Sequence, residues 1–224
     1  MSILRGRLIW ILVISAIASN AGPKVLANSS SSPMVVFSSS GTATKYATWN
    51  GSSWSAAASL PSIGGNANWV VLRNCPTRNE MACGTFDQDS DVNVVFFNGS
   101  SWGSVTQVSS NSDETDDRNF DIAYEQSSGD ALVVYYDLGE NNFGYRTYNG
   151  SSLSSESDLS RSGLDGNDYV LLVPKPDSDT IVLITVGQLS SGDPAISANI
   201  WNGSSWAGWT TIENEATTND DDCS

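Results

Sequence analysis

The sequence contains no histidine, and this absence excludes several kinds of chemistry. Without imidazole there is no histidine general base, no serine–histidine–aspartate triad and no histidine-ligated metal site. Positive charge is also scarce, because 10 Lys and Arg stand against 25 Asp and Glu, for a formal net charge of −15. Binding to nucleic acid or to an anionic membrane surface depends on lysine and arginine, so the sequence predicts neither partner.

The N-terminal segment is apolar, but it is too short to cross a bilayer comfortably. The apolar run Leu8–Ala18 has 11 residues, whereas a spanning helix needs about 20. Arg5 and Arg7 precede the run, and Ala27 ends a cleavage pattern of small residues. The segment therefore predicts a signal peptide at residues 1–27, with a Ser-rich spacer at 28–33 and a secreted or cell-surface location. The alternatives are cleavage after Ala18 and an uncleaved N-terminal anchor.

The aromatic residues, 8 Trp, 7 Tyr and 6 Phe, mark an internal repeat. An aromatic-Asn-Gly-Ser-Ser pattern, closed by Trp or Leu, occurs four times at intervals of 48, 51 and 53 residues. Asn-Gly between alternating strands predicts a two-residue hairpin with positive φ at both central residues. In such a hairpin the flanking residues lie diagonally on one face of the sheet, where they would fill the gap between repeats. These structural repeat residues are Trp49, Trp54, Phe97, Trp102, Tyr148, Leu153, Trp201 and Trp206.

Two more strand-like runs precede each turn, such as Phe120–Glu125 and Ala131–Tyr136 in the third copy. No stretch has a helical period. Four antiparallel strands repeated at this spacing predict an all-β fold, a β-propeller or open propeller arc of about four blades whose first blade lacks its strand A. The blades are expected at residues 34–62, 63–112, 113–163 and 164–224. We expect the C-terminus to be a truncation of a longer propeller, with a complete four-bladed ring as the alternative.

Three cysteines are present, and two of them flank one turn. If that turn centres on Asn79, Cys75 and Cys83 face each other and form a disulfide, which export would permit. If the centre of the turn is shifted by half a residue, the two thiols do not face each other. Cys223 has no partner under either interpretation.

Oxygen-bearing side chains alternate along one connection between two predicted strands. Asp87, Asp89, Asp91 and Asn93 offer the ligands that Ca²⁺ prefers, so they are the candidate metal site, with a solvated acidic turn as the alternative. No catalytic motif is found, and no other cofactor is indicated. The chain lacks the Ser-x-Asp-x-Gly-x-Thr-Trp boxes of sialidases, so the sequence predicts a protein that is not an enzyme.

The repeat units, together with residues 120–135, resemble a repeat class of large exported prokaryotic proteins that are predicted propellers. A looser similarity links residues 201–209 to sugar-binding propeller lectins of bacteria and fungi. That resemblance implies sugar contacts at Trp206 and Trp209. The expected function is a secreted or cell-surface, non-catalytic interaction module that binds a glycan or a surface protein. The alternatives are a sialidase-like glycoside hydrolase and a purely structural repeat segment of a larger surface protein.

Overall fold

The computed structural model describes residues 32–38, 44–112, 117–167, 169–190, 192 and 194–214. The predicted signal segment, most of the Ser-rich spacer, Cys223 and the acidic run at 220–222 lie outside these residues. Within them, no segment forms a helix with the length and hydropathy of a membrane span.

The described residues form fifteen β-strands that pair antiparallel with their neighbours along the chain. The alternation of apolar residues with polar turns produces short strands and tight connections, as a half-buried sheet requires. The strands are β1 (Met34–Phe37), β2 (Lys45–Thr48), β3 (Ala58–Ser59), β4 (Ala67–Asn74), β5 (Met81–Asp87), β6 (Val92–Phe97), β7 (Thr106–Ser109), β8 (Phe120–Tyr124), β9 (Ala131–Asp137), β10 (Asn142–Tyr148), β11 (Ser157–Leu159), β12 (Tyr169–Pro174), β13 (Ile181–Gln188), β14 (Pro194–Trp201) and β15 (Thr210–Glu213).

These strands form four separate sheets, which are the blades of an open propeller arc. Blade 1 comprises β1 to β3, blade 2 β4 to β7, blade 3 β8 to β11 and blade 4 β12 to β15. The predicted all-β propeller architecture is confirmed. Blade 1 has three strands in the described part of the chain, and β1 corresponds to the second strand of the other blades.

The core is divided into three apolar seams, one between each pair of neighbouring blades. The seam of blades 1 and 2 includes Val36 and Cys83, the next includes Phe86 and Phe120, and the third lies between blades 3 and 4. Blades 2 and 3 therefore bury their two faces against different neighbours, and the propeller is held together mainly by the removal of these faces from water.

The Asn-Gly hairpins differ from the type I′ turns that the sequence predicts. Among the residues of the first turn only Gly51 has positive φ, at 101°, and Asn50 does not. The Asn50 side chain explains the difference, because its Oδ1 accepts hydrogen bonds from the backbone N–H of Ser52 and Ser53, both at 2.9 Å. An Asn side chain that satisfies backbone donors two and three residues ahead stabilises a longer turn.

The longer turn changes the register of the flanking residues. Trp49 is paired directly with Trp54, and the same direct pairing joins the flanking residues of the other three turns. The two members of each pair lie on one face, as predicted, but directly opposite each other rather than diagonally. The Trp49 and Trp54 rings are 5.5 Å apart, in close contact.

Three of these pairs pack on an aromatic residue of the preceding blade. Trp102 makes an edge contact with Tyr46 at 5.8 Å, and Tyr148 stacks on Phe96 at 3.6 Å. In blade 4 both members of the pair make edge contacts with Tyr145. The repeat thus places one aromatic anchor in each seam, where such ring pairs add to the stabilisation from burial.

The predicted disulfide between Cys75 and Cys83 is wrong, because both thiols are free and buried. The register pairs Cys83 with Leu72, and Asn74 with Met81, so the turn centres between Thr77 and Arg78 rather than on Asn79. An odd shift in register moves a side chain to the other face of a sheet. Cys83 consequently lies in the seam with blade 1, whereas Cys75 lies in the seam with blade 3.

One buried carboxylate connects the inner strands of three blades. Asp121, on β8, is fully buried. Its Oδ1 accepts hydrogen bonds from Arg73 Nη2 of blade 2 at 2.9 Å and lies 3.0 Å from Arg118 Nη2. Its Oδ2 accepts a hydrogen bond from the backbone N–H of Leu172 in blade 4, also at 2.9 Å. Two guanidinium groups and a backbone amide therefore compensate for the burial of this charge.

Replacement of Asp121 by alanine should destabilise the propeller by about 3 kcal/mol, because it leaves two arginines and a buried amide without their acceptor. The free energy of unfolding from urea denaturation measures the effect. Asp158→Ala, on the exposed side of β11, is the control and should change stability by less than about 0.5 kcal/mol. Equal stabilities of the two variants would contradict the role assigned to Asp121.

Candidate functional site

The seam between blades 3 and 4 contains the two tryptophans for which the sequence predicts sugar contacts. Trp206 is paired with Trp201 across the fourth hairpin, with ring centroids 5.3 Å apart. Tyr145 of blade 3 contacts both rings at 5.7 Å, edge to face. Trp206 is therefore held on two sides by packing, and only part of it reaches solvent.

Trp201 is fixed in this seam by a buried acid. Its indole Nε1 donates a 2.7 Å hydrogen bond to Oε1 of Glu125, which follows β8. Burial raises the pKa of Glu125, although hydrogen bonds from Ser128 and Trp201 act in the opposite direction. This contact connects the first turn of blade 3 to the last hairpin of blade 4 and sets the position of the tryptophan pair.

Trp209 lies further out along the same seam, between an arginine and a phenylalanine. The guanidinium carbon of Arg161 is 5.2 Å from the Trp209 ring centroid, and the Phe143 ring is 5.3 Å away. The Trp209 indole N–H donates to the Ser160 carbonyl at 2.9 Å. A cation over an indole face is an attractive arrangement, and it orients both side chains.

Arg161 is unusual because it is buried without an acidic partner. It is 9% exposed, and no carboxylate of the described chain forms an ion pair with it. Its Nη2 donates one long hydrogen bond, 3.4 Å, to Thr211 Oγ1 of blade 4. Burial lowers the pKa of Arg161. A guanidinium has five donors, so this one has hydrogen-bonding capacity that an external acceptor could use.

At the seam between blades 2 and 3, the position equivalent to Trp209 is occupied by an acid, Glu156. Glu156 follows its repeat Asn by seven residues, as Trp209 does in blade 4. Glu156 accepts a hydrogen bond from the hydroxyl of Tyr135 and lies 3.7 Å from Arg146 Nη2. That arginine is therefore neutralised by the protein itself. Blade 4 has replaced the acid by a tryptophan, which leaves an aromatic surface beside an arginine.

The sequence identified Trp206 and Trp209 but not Arg161, and the structure brings all three to one seam. Arg161 lies just after β11 in blade 3, about 45 residues before the motif that drew attention to the tryptophans. No local pattern connects it to them. The signal available in the sequence was the difference between Glu156 and Trp209 at equivalent positions of blades 3 and 4.

A second candidate lies where the inner strands β4, β8 and β12 end. It is a cavity of about 170 Å³ lined by Arg73, Asn74, Pro76, Ala123, Tyr124, Gln126 and Pro174. This volume is small beside the hundreds of Å³ that ligand sites usually have. Arg73 already binds Asp121, and Gln126 donates to the Tyr124 carbonyl at 2.9 Å. We therefore take the seam of blades 3 and 4 as the stronger candidate.

Two of the four candidate calcium ligands, Asp87 and Asp89, each bring a carboxylate oxygen beside Gly65. The Asp87 Oδ1 accepts hydrogen bonds from the backbone N–H of Asp89 at 3.0 Å and of Asp91 at 3.2 Å, so it closes its own turn. Asp87 Oδ2 packs against Gly65, where an added Cβ would lie 2.7 Å from it. Among the described residues no three acidic or cysteine side chains are arranged to hold a metal. This geometry does not favour Ca²⁺ at Asp87, Asp89, Asp91 and Asn93.

Comparison with solved structures identifies propeller lectins that share this fold. The BP39L lectin of Burkholderia pseudomallei matches with a TM-score of 0.59 and 12% identity, over 83% of this chain and 53% of that lectin. A variant of the Aleuria aurantia lectin in complex with Fucα1-6GlcNAc matches with a TM-score of 0.53 and 14% identity, over 83% and 59%.

These similarities show the fold alone, since the identities are low and one fold serves many functions. The chain spans between half and three-fifths of the length of the two lectins. No protein-family model matches the sequence, and no curated protein matches it.

The acidic turn generates a prediction about pH. Burial raises the pKa of Asp87, and the charges of Asp91 and Asp89 add to that effect. Asp87 Oδ2 has no hydrogen-bond partner, so its negative charge opposes folding at neutral pH. Asp87→Asn keeps the oxygen that accepts from the turn and removes the charge. We expect the variant to be more stable at neutral pH by about 1 kcal/mol.

The stability difference should shrink as pH falls through the raised pKa, because the native Asp87 then takes up a proton and loses the same unfavourable charge. Thermal unfolding between about pH 7 and about pH 4 measures this trend. Asp165→Asn, at an exposed position, is the matched control and should show no such gain. A gain that is equal at all pH values would contradict the explanation.

Proposed function

We propose that this chain is a non-catalytic module that binds neutral glycans at the seam of blades 3 and 4. The observation that carries the proposal is Arg161, which is buried beside Trp209 and forms no ion pair with an acid of the described residues. The side chain of Arg161 makes one long hydrogen bond to the described residues, at 3.4 Å, so its other donors can serve an external acceptor. Sugar hydroxyls are such acceptors, and the apolar face of a sugar ring is suited to an aromatic neighbour.

The charge of the protein favours a neutral glycan over an anionic one. The chain carries a net charge of −15, and every acidic residue lies at or after Glu80. A surface of this sign repels sialylated or sulfated chains at moderate salt. The similarity to the Aleuria aurantia lectin, whose structure contains Fucα1-6GlcNAc, supports fucosylated glycans as the first ligands to test.

The hydrolase alternative has less support. A glycosidase needs carboxyl groups that can exchange a proton or attack a sugar. Asp121 is buried near the inner strands, but both of its oxygens are engaged by arginine or backbone donors. Glu125 is engaged by Ser128 and Trp201.

A glycan array followed by isothermal titration calorimetry tests the proposal. Arg161→Ala should weaken binding about tenfold or more, equivalent to about 1.4 kcal/mol, because it removes the free donors. Trp209→Ala should weaken it as well, through loss of the aromatic surface. Arg146→Ala is the matched control, since Arg146 lies at the equivalent seam beside Glu156, and its removal should leave the affinity unchanged.

Two results would contradict the glycan proposal. One is the absence of binding to any glycan by the folded protein, which would favour the structural-repeat alternative. The other is a bound glycan whose affinity is unaffected by both Arg161→Ala and Trp209→Ala, which would locate binding elsewhere. Circular dichroism and unfolding midpoints of the variants separate a binding defect from a folding defect.

We also propose that the chain is exported and acts outside the cytoplasm. The basic residues Arg5 and Arg7, the apolar run Leu8–Ala18 and the cleavage pattern before Asn28 support it. Mass spectrometry of the protein from the culture medium or cell envelope of the expressing cell should find Asn28 as the first residue. A cytoplasmic protein that retains Met1 would overturn the proposal.

A further inference from the structure

Blade 4 has an apolar face that nothing in the described part of the chain covers. One set of its residues packs on blade 3, including Val170, Leu172 and Leu183. The alternate residues point the other way and form what we call the open face: Leu171, Val173, Val182, Ile184, Ile196 and Ile200. Val173 is 43% exposed and Ile200 is 44% exposed. An uncovered apolar sheet face of this kind marks an interaction surface.

The same face is buried in the other blades. In blade 2 the equivalent residues include Val71, Ala82 and Phe96, and they pack against blade 3. The registers define the equivalence, since Ala82 is paired with Phe96 as Val182 is paired with Ile200. The open face therefore corresponds to a surface that, in each earlier blade, receives the following blade.

Blade 1 presents the complementary surface. In the other blades the flanking pair of the hairpin packs on the preceding blade, as Phe97 and Trp102 do in blade 2 and Tyr148 and Leu153 do in blade 3. Trp49 and Trp54 form the same arrangement, with a 57° angle between rings against 56° for Phe97 and Trp102. Yet Trp54 is 50% exposed. The anchor is already formed in blade 1, and no preceding blade is present in the described chain to receive it.

Charge also favours a contact between these two surfaces. All 25 Asp and Glu lie at or after Glu80, so blade 1 is free of acidic residues and carries Lys45. The six residues of the open face are uncharged. Blade 1 is therefore the part of this acidic chain that can approach another copy with the least repulsion.

We propose that the open face of blade 4 binds blade 1 of a second copy of this chain, head to tail. Trp49 and Trp54 of one copy pack at Ala198 and Ile200, the positions equivalent to Tyr145 and Phe96, which receive the hairpin pair at the other seams. The contact continues an interface already repeated three times within the chain. Such a heterologous contact adds copies until a ring closes. This inference does not depend on glycan binding.

Analytical ultracentrifugation of the exported chain, from about 1 to about 100 μM, tests the proposal across the micromolar range of affinity. We expect a mass of at least twice that of the monomer, rising with concentration until it reaches a closed assembly. Ile184→Glu should be monomeric because it places a charge at the centre of the open face. Trp54→Glu should be monomeric because it alters the anchor on blade 1.

Mixing the two monomeric variants provides the decisive measurement. The Trp54→Glu chain keeps an intact open face and the Ile184→Glu chain keeps an intact blade 1, so one productive contact remains. We expect a one-to-one dimer that does not grow further. Leu138→Glu, in an exposed turn of blade 3, is the control for an added charge and should assemble like the unchanged protein.

The unfolding midpoints of the variants, measured at low concentration, establish that each monomer is folded. A monomeric unchanged protein throughout the concentration range would overturn the proposal. So would an assembly that persists in both single variants, or folded variants that fail to form the mixed dimer.

Discussion

The carboxylate of Asp121 is the constraint on which the arrangement of the blades depends. Apolar seams hold blades together without prescribing their angle, because burial of apolar surface is not directional. Asp121 supplies direction, since its two oxygens bind Arg73 of blade 2 and the Leu172 amide of blade 4. Blades 2 and 4 hold Val71 and Leu171 at the equivalent position. Contacts of Asp121 therefore orient blades 2 and 4 relative to blade 3. The contact with Leu172 also helps to set the geometry of the seam that contains Arg161.

A second constraint, the hydrogen bonding of the repeat Asn, acts within each hairpin and places the residues that pack in the seams. Each repeat Asn, as Asn50 and Asn202 show, accepts hydrogen bonds from the two serine amides ahead of it. This closes a turn in which the two flanking residues are directly paired. The pairing of the two flanking side chains is thus set by contacts within one hairpin. The local hydrogen bonds and the packing between blades favour the same conformation, as expected of a sequence whose local and global preferences agree.

The repeat made the fold predictable from the sequence, whereas the site required the structure. Four Asn-Gly hairpins and alternating apolar runs sufficed for strands, blades and their order. The turn type was missed because the Asn side chain, rather than the backbone alone, satisfies the loop. The disulfide was wrong because a register shift of three residues separates Cys75 and Cys83 to opposite faces. Arg161 was missed because its relation to Trp209 is a contact between blades, and no spacing along the chain encodes it.

The three seams are built from equivalent positions of the repeat, and the residues at these positions differ between the seams. The seam of blades 2 and 3 contains an arginine with its acid, Arg146 and Glu156. At the next seam a tryptophan stands in place of that acid, and a different arginine, Arg161, packs on it without a countercharge in the part of the chain that the structure describes. Blade 4 has Asn199 at the position of Arg146, so this ion pair is absent there and Trp209 packs instead on Arg161 of the preceding blade. The seam of blades 3 and 4 departs from the repeat pattern by placing an arginine beside a partly exposed aromatic ring, and this departure is the reason why we propose a ligand there.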